Sequence, residues 1–221
     1  MASAPNGVRP PPVPLRVQLP AAPDGADSTL RLFEDPVGAG PGGAVWDAAV
    51  VLAQYVQSLG AALRGAAVIE LGAGTGLPGL AAAKLGARVT LTDRERALPL
   101  LRMNAEANAL DIAVEALEWG VPRRPGGGAP FALVLAADVV CHDESLAPLL
   151  ATLRELTAGG AEVLLANKCR DVAEHAFWEA AAAHFHVELL QEGLPAAPRD
   201  GDDLPVMLYR LWPRQPADAA A

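Results

Sequence analysis

A glycine-rich turn between an apolar run and an alanine-rich segment is the part of this sequence most suited to chemistry. In Val68–Gly79, VIELGAGTGLPG, the acid Glu70 is followed by glycine at positions 72, 74 and 76. Glycine allows left-handed backbone and close approach of a ligand, and the first turn of a helix offers unpaired N–H groups. The pattern predicts a strand, a tight loop and a helix N-terminus that bind a nucleotide-like ligand.

A second carboxylate follows the next apolar run. Residues 87–92 end at Asp93, about 20 residues beyond Gly72. An acid at this place can accept hydrogen bonds from the two hydroxyls of a ribose. Alternatively, Asp93 caps a helix that begins at Arg94. Taken with the glycine-rich turn, Asp93 indicates an adenosine-containing cofactor.

The glycine spacing helps to decide which cofactor is bound. The dinucleotide pattern G-x-G-x-x-G fails from Gly72, because Leu77 holds the third glycine position. From Gly74 it fits, but then begins beyond the strand end rather than at it. The pattern E-x-G-x-G-x-G fits from Glu70 without adjustment. A carboxylate there would repel a pyrophosphate and attract the amine and sulfonium of S-adenosylmethionine, so electrostatics favours S-adenosylmethionine.

The composition limits the class of protein. The chain has 221 residues, 52% of them hydrophobic, which suits one α/β domain. A net charge of −9 argues against a nucleic-acid partner, since phosphate contacts need a basic surface. The longest uncharged stretch, Ala48–Leu63, is too short and polar to cross a bilayer, so we expect no membrane partner. Cys141 and Cys169 lack ligands at metal spacing, and we expect no metal, no disulfide and a cytoplasmic location.

Short apolar runs alternate with helical patterns from Ala66 onward. The predicted strands are Ala67–Leu71, Arg88–Thr92, Ala113–Leu117, Ala132–Ala136, Glu162–Ala166, His186–Leu190 and Val206–Trp212. The predicted helices are Trp46–Leu59, Pro78–Leu85, Arg94–Asn108, Leu146–Leu156 and Val172–Ala183. Such alternation predicts an α/β fold with a seven-stranded, mostly parallel, doubly wound sheet. Only the short, polar segment Gln191–Leu204 precedes the last strand, which we expect to be antiparallel.

These segments together resemble a known family. Glu70–Gly76, Asp93, Asn104, Trp119-Gly120 and Ala136–Val140 look like the seven-strand S-adenosylmethionine-dependent methyltransferases. With the upstream segment VWDAA (Val45–Ala49), they resemble the non-histone protein-lysine methyltransferase branch, methyltransferase family 16. The resemblance runs from about Phe33 to Trp212. Within the branch, Asp143–Leu150 looks most like the enzymes that act on the valosin-containing ATPase.

Composition and pattern also predict a domain organisation. Residues 1–27 are a Pro/Ala-rich segment that we expect to be partly disordered, residues 28–214 are the methyltransferase domain, and 215–221 are a disordered tail. Leu15–Leu19 and Thr29–Phe33 alternate apolar and polar residues around turn chemistry at Pro23-Asp24-Gly25. We therefore expect a short N-terminal hairpin ahead of the sheet.

The cofactor residues follow from the same resemblance. They are Trp46, Glu70, Gly72, Ala73, Gly74, Asp93, Trp119 and Ala137. Trp119 is expected to pack against the adenine, or else to cover the loop as an apolar residue. Glu70 is expected to accept a hydrogen bond from the cofactor amine, or else to cap the neighbouring helix. Trp46 is a cofactor contact or a core residue.

Asp138 is the predicted catalytic residue. The resemblance makes it the first residue of an acid-x-x-aromatic substrate motif at the carboxyl edge of the sheet. Methyl transfer needs an amine lone pair in line with the methyl–sulfonium bond, and a lysine with a free pKa of about 10.4 has none until it loses a proton. A carboxylate holds the amine but also favours its protonated form. Asp138 is therefore expected to position the amine rather than to act as a strong base.

The motif departs from the family at its fourth position. Cys141 stands where a Tyr or Phe is usual, and cysteine supplies no aromatic wall for the amine. The adjacent His142 could handle protons or be an exposed loop residue. Asn104 and Asn108 are expected on the helix surface without a site role. Lys168-Cys169-Arg170 is expected in a solvated loop.

The function that these residues favour is methyl transfer from S-adenosylmethionine to a protein side chain, with lysine preferred. The resemblance implies a protein substrate such as a chaperone-like ATPase or a translation factor, and we expect a monomer. A nicotinamide-dependent oxidoreductase is the first alternative, disfavoured by Glu70 and the glycine spacing. A cofactor-binding interaction protein without catalysis is the second, and Cys141 is its only support. A small-molecule methyltransferase is the third; the hairpin favours a macromolecular acceptor.

Overall fold

The strands and helices of the computed structural model follow the sequence pattern closely. The structure describes residues 10–23, 25, 28–123, 125–141, 143–168, 173–193 and 204–215. The expected disorder at the beginning of the chain and in the tail falls on residues 1–9 and 216–221, outside the described part. The central residue of the expected turn, Asp24, lies outside it as well.

The elements are as follows. The hairpin strands are β1 (Val13–Gln18) and β2 (Thr29–Glu34), and the strands of the main sheet are β3 (Ala67–Leu71), β4 (Arg88–Asp93), β5 (Ala113–Ala116), β6 (Leu133–Ala137), β7 (Glu162–Lys168), β8 (Phe185–Gly193) and β9 (Val206–Pro213). The helices are α1 (Asp47–Leu59), α2 (Leu77–Lys84), α3 (Leu98–Ala107), α4 (Asp143–Thr157) and α5 (Ala173–Ala182). The predicted strand Ala67–Leu71 is confirmed with its bounds.

The main sheet confirms the predicted fold class. Its seven strands lie in the order β5-β4-β3-β6-β7-β9-β8, and the pairs from β5 to β7 are parallel. Strand β9 pairs antiparallel with both β7 and β8, so the last strand enters the sheet between its two predecessors. The hairpin β1–β2 forms a separate antiparallel sheet, as the sequence predicts.

Two helix starts, those of α3 and α4, differ from the prediction by more than one residue, for local reasons. Helix α3 begins at Leu98 rather than Arg94, because a short 3₁₀ turn at Glu95–Ala97 precedes it and Pro99 occupies the first helical turn, where a missing N–H costs nothing. Helix α4 begins at Asp143 rather than Leu146, and its first turn carries acids, which the positive end of a helix favours.

The core lies on both faces of the main sheet. Alternate residues of β3 point to opposite faces, so Val68 packs with α1, α2 and α3, while Ile69 packs with α4 and α5. Strand β6 divides in the same way between Leu135 and Val134. The hairpin adds Leu30 and others to the α1–α3 side. Within the described residues, no helix combines the length and apolar character needed to span a membrane.

The expectation that Asn104 lies on the helix surface is wrong. Asn104 is fully buried, and its amide bonds the backbone N–H and C=O of Phe33 in β2. Asn108, which follows the last residue of α3, bonds Arg31 in the same manner at a more exposed position. These side chains attach the hairpin to α3, a tertiary contact that the helical pattern could not reveal.

Candidate active site

The site lies where the strand order reverses. The chain runs from β3 outward to β4 and β5, then returns to place β6 on the other side of β3. Ligands of open α/β sheets bind at such a switch point, outside the carboxyl ends of the strands. At this edge β3 ends before Gly72, β4 ends at Asp93 and β6 ends before Asp138. The topology therefore brings the main predicted site residues to one edge.

The loop after β3 needs its glycines for steric and backbone reasons. Gly72, Gly74 and Gly76 have φ angles of +58°, +57° and +80°, the left-handed region that strains other residues. A Cβ on Gly72 would lie 3.1 Å from both Trp119 Cζ2 and Val139 Cγ1. On Gly74 it would lie 2.5 Å from the carbonyl oxygen of another loop. Side chains are therefore excluded, and the loop backbone stays close to its neighbours.

The carboxyl group of Glu70 lies behind the loop rather than at its open side. It is buried, and Oε2 accepts a hydrogen bond of 2.8 Å from the N–H of Gly79 in the first turn of α2. A Cβ on Gly79 would lie 2.6 Å from that oxygen, so glycine is needed there. The helix-cap alternative for Glu70 is thus realised in this structure.

Burial changes the charge of Glu70. Loss of solvation raises the pKa of its carboxyl to about 8, the Gly79 hydrogen bond opposes this, and the nearby carboxylate of Asp93 adds to it. At neutral pH the group is mainly protonated. The negative charge expected of Glu70 from the sequence is therefore largely absent at neutral pH.

This pKa makes the stability of the fold depend on pH. Between about pH 4.5 and 8 the folded chain holds a proton on Glu70 that the unfolded chain has released. We expect rising pH in this window to lower the free energy of unfolding by up to about 1.4 kcal/mol per pH unit. Glu70→Gln keeps the acceptor for Gly79 but cannot ionise, so its denaturation series should lack this component. Parallel pH curves for the two proteins would contradict the assignment.

Asp93 joins the end of β4 to the glycine loop. One carboxylate oxygen accepts a hydrogen bond of 2.8 Å from the N–H of Gly74, and the other accepts one of 2.7 Å from Arg94. The side chain is half-buried and remains open on one side. Because α3 begins only at Leu98, Asp93 does not cap that helix. A partly exposed carboxylate held by two N–H donors can accept further hydroxyl donors.

A second loop lies across the glycine loop. The 3₁₀ turn Gly40–Gly43 approaches Gly74 closely, since the carbonyl oxygen of Gly42 leaves no room for a Cβ there. The same turn accepts a hydrogen bond of 2.8 Å from the indole N–H of Trp46, through the oxygen of Pro41. Trp46 is half-buried and directly precedes α1. We call residues 36–45 the strap.

Trp119 lies beside the glycine loop on the β5 side. Its ring contacts the Gly72 position and packs partly against the core cluster of β6, α4 and α5. The next residue, Gly120, donates its N–H to the hydroxyl of Thr152 in α4 over 2.9 Å. Trp119 is half-buried, so one part of the ring is available to a ligand. Ala73 is buried in the loop and bonds the carbonyl of Thr92.

The loop after β6 is held against the end of β7. Half-buried Ala137 ends β6, and Asp138 has a φ of +54°, a left-handed conformation that Asp tolerates better than most residues. The N–H of Asp138 bonds the carbonyl of Ala166, and its Oδ1 lies 3.5 Å from the N–H of Lys168. Asn167, which is buried, bonds both the N–H and the C=O of Val140 over 3.2 Å. These four hydrogen bonds hold the loop in place, and the one from Lys168 restrains the Asp138 side chain.

Cys141 follows this clamped segment and is exposed. The preceding Val140 is buried and held by Asn167, so the loop turns outward between the two residues. His142 lies outside the described part of the chain. Both alternatives for His142, proton handling and an exposed loop residue, therefore stay predictions.

The expectation that Lys168 lies in a solvated loop is wrong. Lys168 is the last residue of β7 and fully buried, and its ammonium bonds the carboxylate of Asp47 over 2.9 Å. Asp47 is also fully buried and is the first residue of α1, where the helix end favours an anion. The ion pair therefore joins the start of α1, just after Trp46, to the end of β7, which contacts Asp138. Cys169 and Arg170 lie outside the described residues.

Other parts of the described surface are weaker candidates for a functional site. A cavity of about 380 Å³, lined by Pro125, Phe131, Glu155, Gly159 and others, lies at the opposite edge of the sheet, before β6 and after α4. Among the described residues, no three His, Cys, Asp or Glu side chains are grouped as metal ligands would be. The carboxyl edge remains the best candidate for chemistry.

The fold and this edge define a class of protein. The 16S rRNA N2 G1207 methyltransferase (RsmC) of T. thermophilus, solved in complex with AdoMet and guanosine, aligns with a TM-score of 0.61 at 22% identity. It covers 93% of this chain, which spans about half of that structure, 52%. The fold is that of S-adenosylmethionine-dependent methyltransferases. The chain belongs to the lysine methyltransferase family, whose pattern matches residues 25–184.

Named relatives of this chain carry the same family description. Protein N-lysine methyltransferase METTL21A of Xenopus tropicalis is 40% identical over 163 residues, which is 72% of this chain and 75% of that protein. EEF1A lysine methyltransferase 3 of Mus musculus is 40% identical over 184 residues, 79% of this chain and 74% of that protein.

These findings confirm the predicted family, the fold class and the cofactor, S-adenosylmethionine. They do not favour the nicotinamide-dependent alternative. The finer resemblance of residues 143–150 to the enzymes of the valosin-containing ATPase stays a prediction. The roles of individual site residues also stay predictions.

Proposed function

We propose that this chain transfers a methyl group from S-adenosylmethionine to the ε-amine of a lysine in a non-histone protein. The single observation that carries the proposal is the position of the Asp138 carboxylate beside the glycine loop at the switch point, in a loop that Asn167 and Lys168 hold by hydrogen bonds. Family membership and the names of two relatives, both lysine methyltransferases of proteins, support the acceptor class.

The half-exposed groups at this edge match the parts of the cofactor. The Asp93 carboxylate suits the ribose hydroxyls, the open part of the Trp119 ring suits the adenine, and the backbone of the glycine loop suits the methionine part. We include Trp46 and the backbone of Ala137 as further contacts, since each lies next to a segment that closes on the loop.

Glu70 would act differently from the role first expected. Its carboxyl is buried and bonded to Gly79, so we propose that it responds to the cofactor's cation from behind the loop. A nearby positive charge favours the ionised form and lowers the pKa of the carboxyl. Saturating cofactor should therefore reduce the pH dependence of the free energy of unfolding in the wild type. In Glu70→Gln the cofactor should leave that pH dependence unchanged.

Asp138 is the residue that positions the acceptor amine. Bound S-adenosylmethionine supplies an electrophilic methyl group on a sulfonium, and the lysine nitrogen needs a lone pair directed at it. The Asp138 carboxylate orients the amine through a hydrogen bond from one of its N–H groups. The amine loses its proton to water as it enters the partly dehydrated edge, where the charged form is less favoured. The exposed Cys141 itself supplies no aromatic wall for the amine.

Composition and the names of the relatives support a proposal about the partner and the setting. We propose a protein acceptor, a chaperone-like ATPase or a translation factor, and a monomeric enzyme in the cytoplasm. The net charge of −9 disfavours a nucleic-acid acceptor, although two enzymes with this fold are an rRNA methyltransferase and a tRNA methyltransferase. These two enzymes are only 22% and 18% identical to this chain, so the similarity supports the fold and not the acceptor.

The acceptor can be identified directly. The chain is incubated with methyl-tritiated S-adenosylmethionine and a cell extract, once as it is and once after ribonuclease treatment. We expect ribonuclease-resistant label in one or a few proteins, and mass spectrometry should find it on lysine. Label that disappears with ribonuclease, or that is confined to small molecules, would overturn the proposed acceptor class.

Asp93 offers a test of the cofactor contact. We expect Asp93→Ala to weaken S-adenosylmethionine binding by about 1.5–3 kcal/mol, because charge-assisted bonds to the ribose and the support of Gly74 are both lost. Glu95→Ala is the matched control, an exposed acid on the adjoining 3₁₀ turn. Calorimetric titration measures both, and equal affinities would refute the ribose assignment.

A further inference from the structure

A buried amide connects the glycine loop to the N-terminal hairpin. The Asn104 side chain is fully buried in α3 and donates a hydrogen bond of 2.9 Å to the carbonyl of Thr75, between Gly74 and Gly76. The same amide accepts from the N–H of Phe33 over 2.7 Å and donates to its carbonyl over 3.2 Å. One side chain thus bridges the loop and strand β2.

Asn108 provides an internal comparison, because it makes the hairpin contact alone. Its amide accepts from the N–H of Arg31 over 2.9 Å and donates to the Arg31 carbonyl over 2.6 Å. The Asn108 amide also donates a hydrogen bond of 2.8 Å to the carbonyl of Asn104. The two asparagines lie one helical turn apart and bond alternate residues of β2. They differ in that only Asn104 bonds the glycine loop.

The end of β2 also holds the strap that crosses the loop from the other side. The Glu34 carboxylate accepts a hydrogen bond from the N–H of Val45 over 2.8 Å. The N–H of Asp35 bonds the carbonyl of Gly43, and the buried Asp35 carboxylate accepts from Gly38. The strap in turn contacts Gly74. The hairpin end therefore reaches the loop by two routes.

We propose that Asn104 is a positioning residue for the cofactor, which fixes the Thr75 carbonyl and so the left-handed backbone on either side of it. The hairpin then belongs to the cofactor-binding unit, a role different from the acceptor recognition that the sequence suggested. This inference rests on the part of the proposed function that puts the cofactor at the glycine loop.

A purely structural role for Asn104 makes a different prediction. Removing a buried amide lowers stability whatever the amide positions, because its partners lose their hydrogen bonds. If Asn104 served only to attach the hairpin, Asn104→Ala and Asn108→Ala would both lower the melting temperature, and neither would change cofactor affinity. A positioning role adds a loss of affinity in Asn104→Ala alone.

The test compares the two variants by calorimetric titration with S-adenosylhomocysteine, at a temperature where both remain folded. We expect the dissociation constant to rise about tenfold or more in Asn104→Ala, the equivalent of roughly one hydrogen bond, and to change less than about twofold in Asn108→Ala. Wild-type affinity in both variants, or the same loss of affinity in both, would overturn the proposal. Failure of the unaltered chain to bind would instead refute the cofactor part of the proposed function.

A second measurement covers the case in which Asn104→Ala does not fold. Hydrogen exchange is followed in the unaltered chain with and without S-adenosylhomocysteine. Cofactor that stabilises the glycine loop should slow exchange at the N–H of Phe33, which donates to Asn104, more than at the N–H of Arg31, which donates to Asn108. Equal protection of the two amides would overturn the proposal.

Discussion

Asp138→Asn is expected to lower kcat by about 100-fold or more while changing the affinity for S-adenosylmethionine by less than about threefold. The reason is geometric, since an acceptor amine that is misplaced by a small distance loses most of its reactivity. Asn keeps the shape of the side chain and tolerates the φ of +54° at this position, whereas Ala would strain the backbone. The substitution therefore removes the charge and leaves the loop in place.

The matched control for this variant is Asp143→Asn. Asp143 is an exposed acid at the start of α4, close in sequence to Asp138 and of the same charge. We expect it to retain nearly full turnover. Steady-state transfer of label from the cofactor to the acceptor protein measures kcat, and calorimetry measures cofactor affinity. Wild-type turnover in Asp138→Asn, or an equal loss in the control, would remove Asp138 from the mechanism.

Lys168→Met is expected to lower the free energy of unfolding by about 3–5 kcal/mol. The substitution leaves the carboxylate of Asp47 buried beside an apolar group, and an unpaired buried charge is costly. The double variant Asp47→Leu with Lys168→Met removes both charges and should recover most of the loss. Urea denaturation monitored by tryptophan fluorescence gives the three free energies.

A surface ion pair supplies the control for this experiment. Arg210 and Glu162 are bonded across β9 and β7, but each side chain is 41% exposed. Exposed pairs contribute little, so Arg210→Met should cost less than about 1 kcal/mol. If Lys168→Met cost no more than Arg210→Met, the interior pair would not stabilise the fold.

The parts of the site that the sequence predicted are those set by local pattern. The strand before Gly72, the left-handed glycines and the acid at the end of β4 follow from periodicity and residue type within short windows. The antiparallel last strand followed from a connection too short for a crossover helix. Its place between β7 and β8 was not predicted, because register and order depend on packing across the whole sheet.

The parts that were missed depend on distant partners. Asn104 and Phe33 are 71 positions apart, and Lys168 and Asp47 are 121 apart, so no local window contains both members. The presence of Asn104 within a helix was itself a signal, since asparagine is disfavoured there unless its side chain has a specific partner. The charge of Glu70 was misjudged for a related reason, because burial and not residue type sets its pKa.

The most direct test of the whole account is a crystal structure of this chain with S-adenosylhomocysteine. We expect the ribose hydroxyls within hydrogen-bonding distance of Asp93, the adenine against Trp119 and the sulfur on the side of Asp138. Density for the cofactor at any other edge of the sheet, or an orientation with the sulfur remote from Asp138, would contradict it.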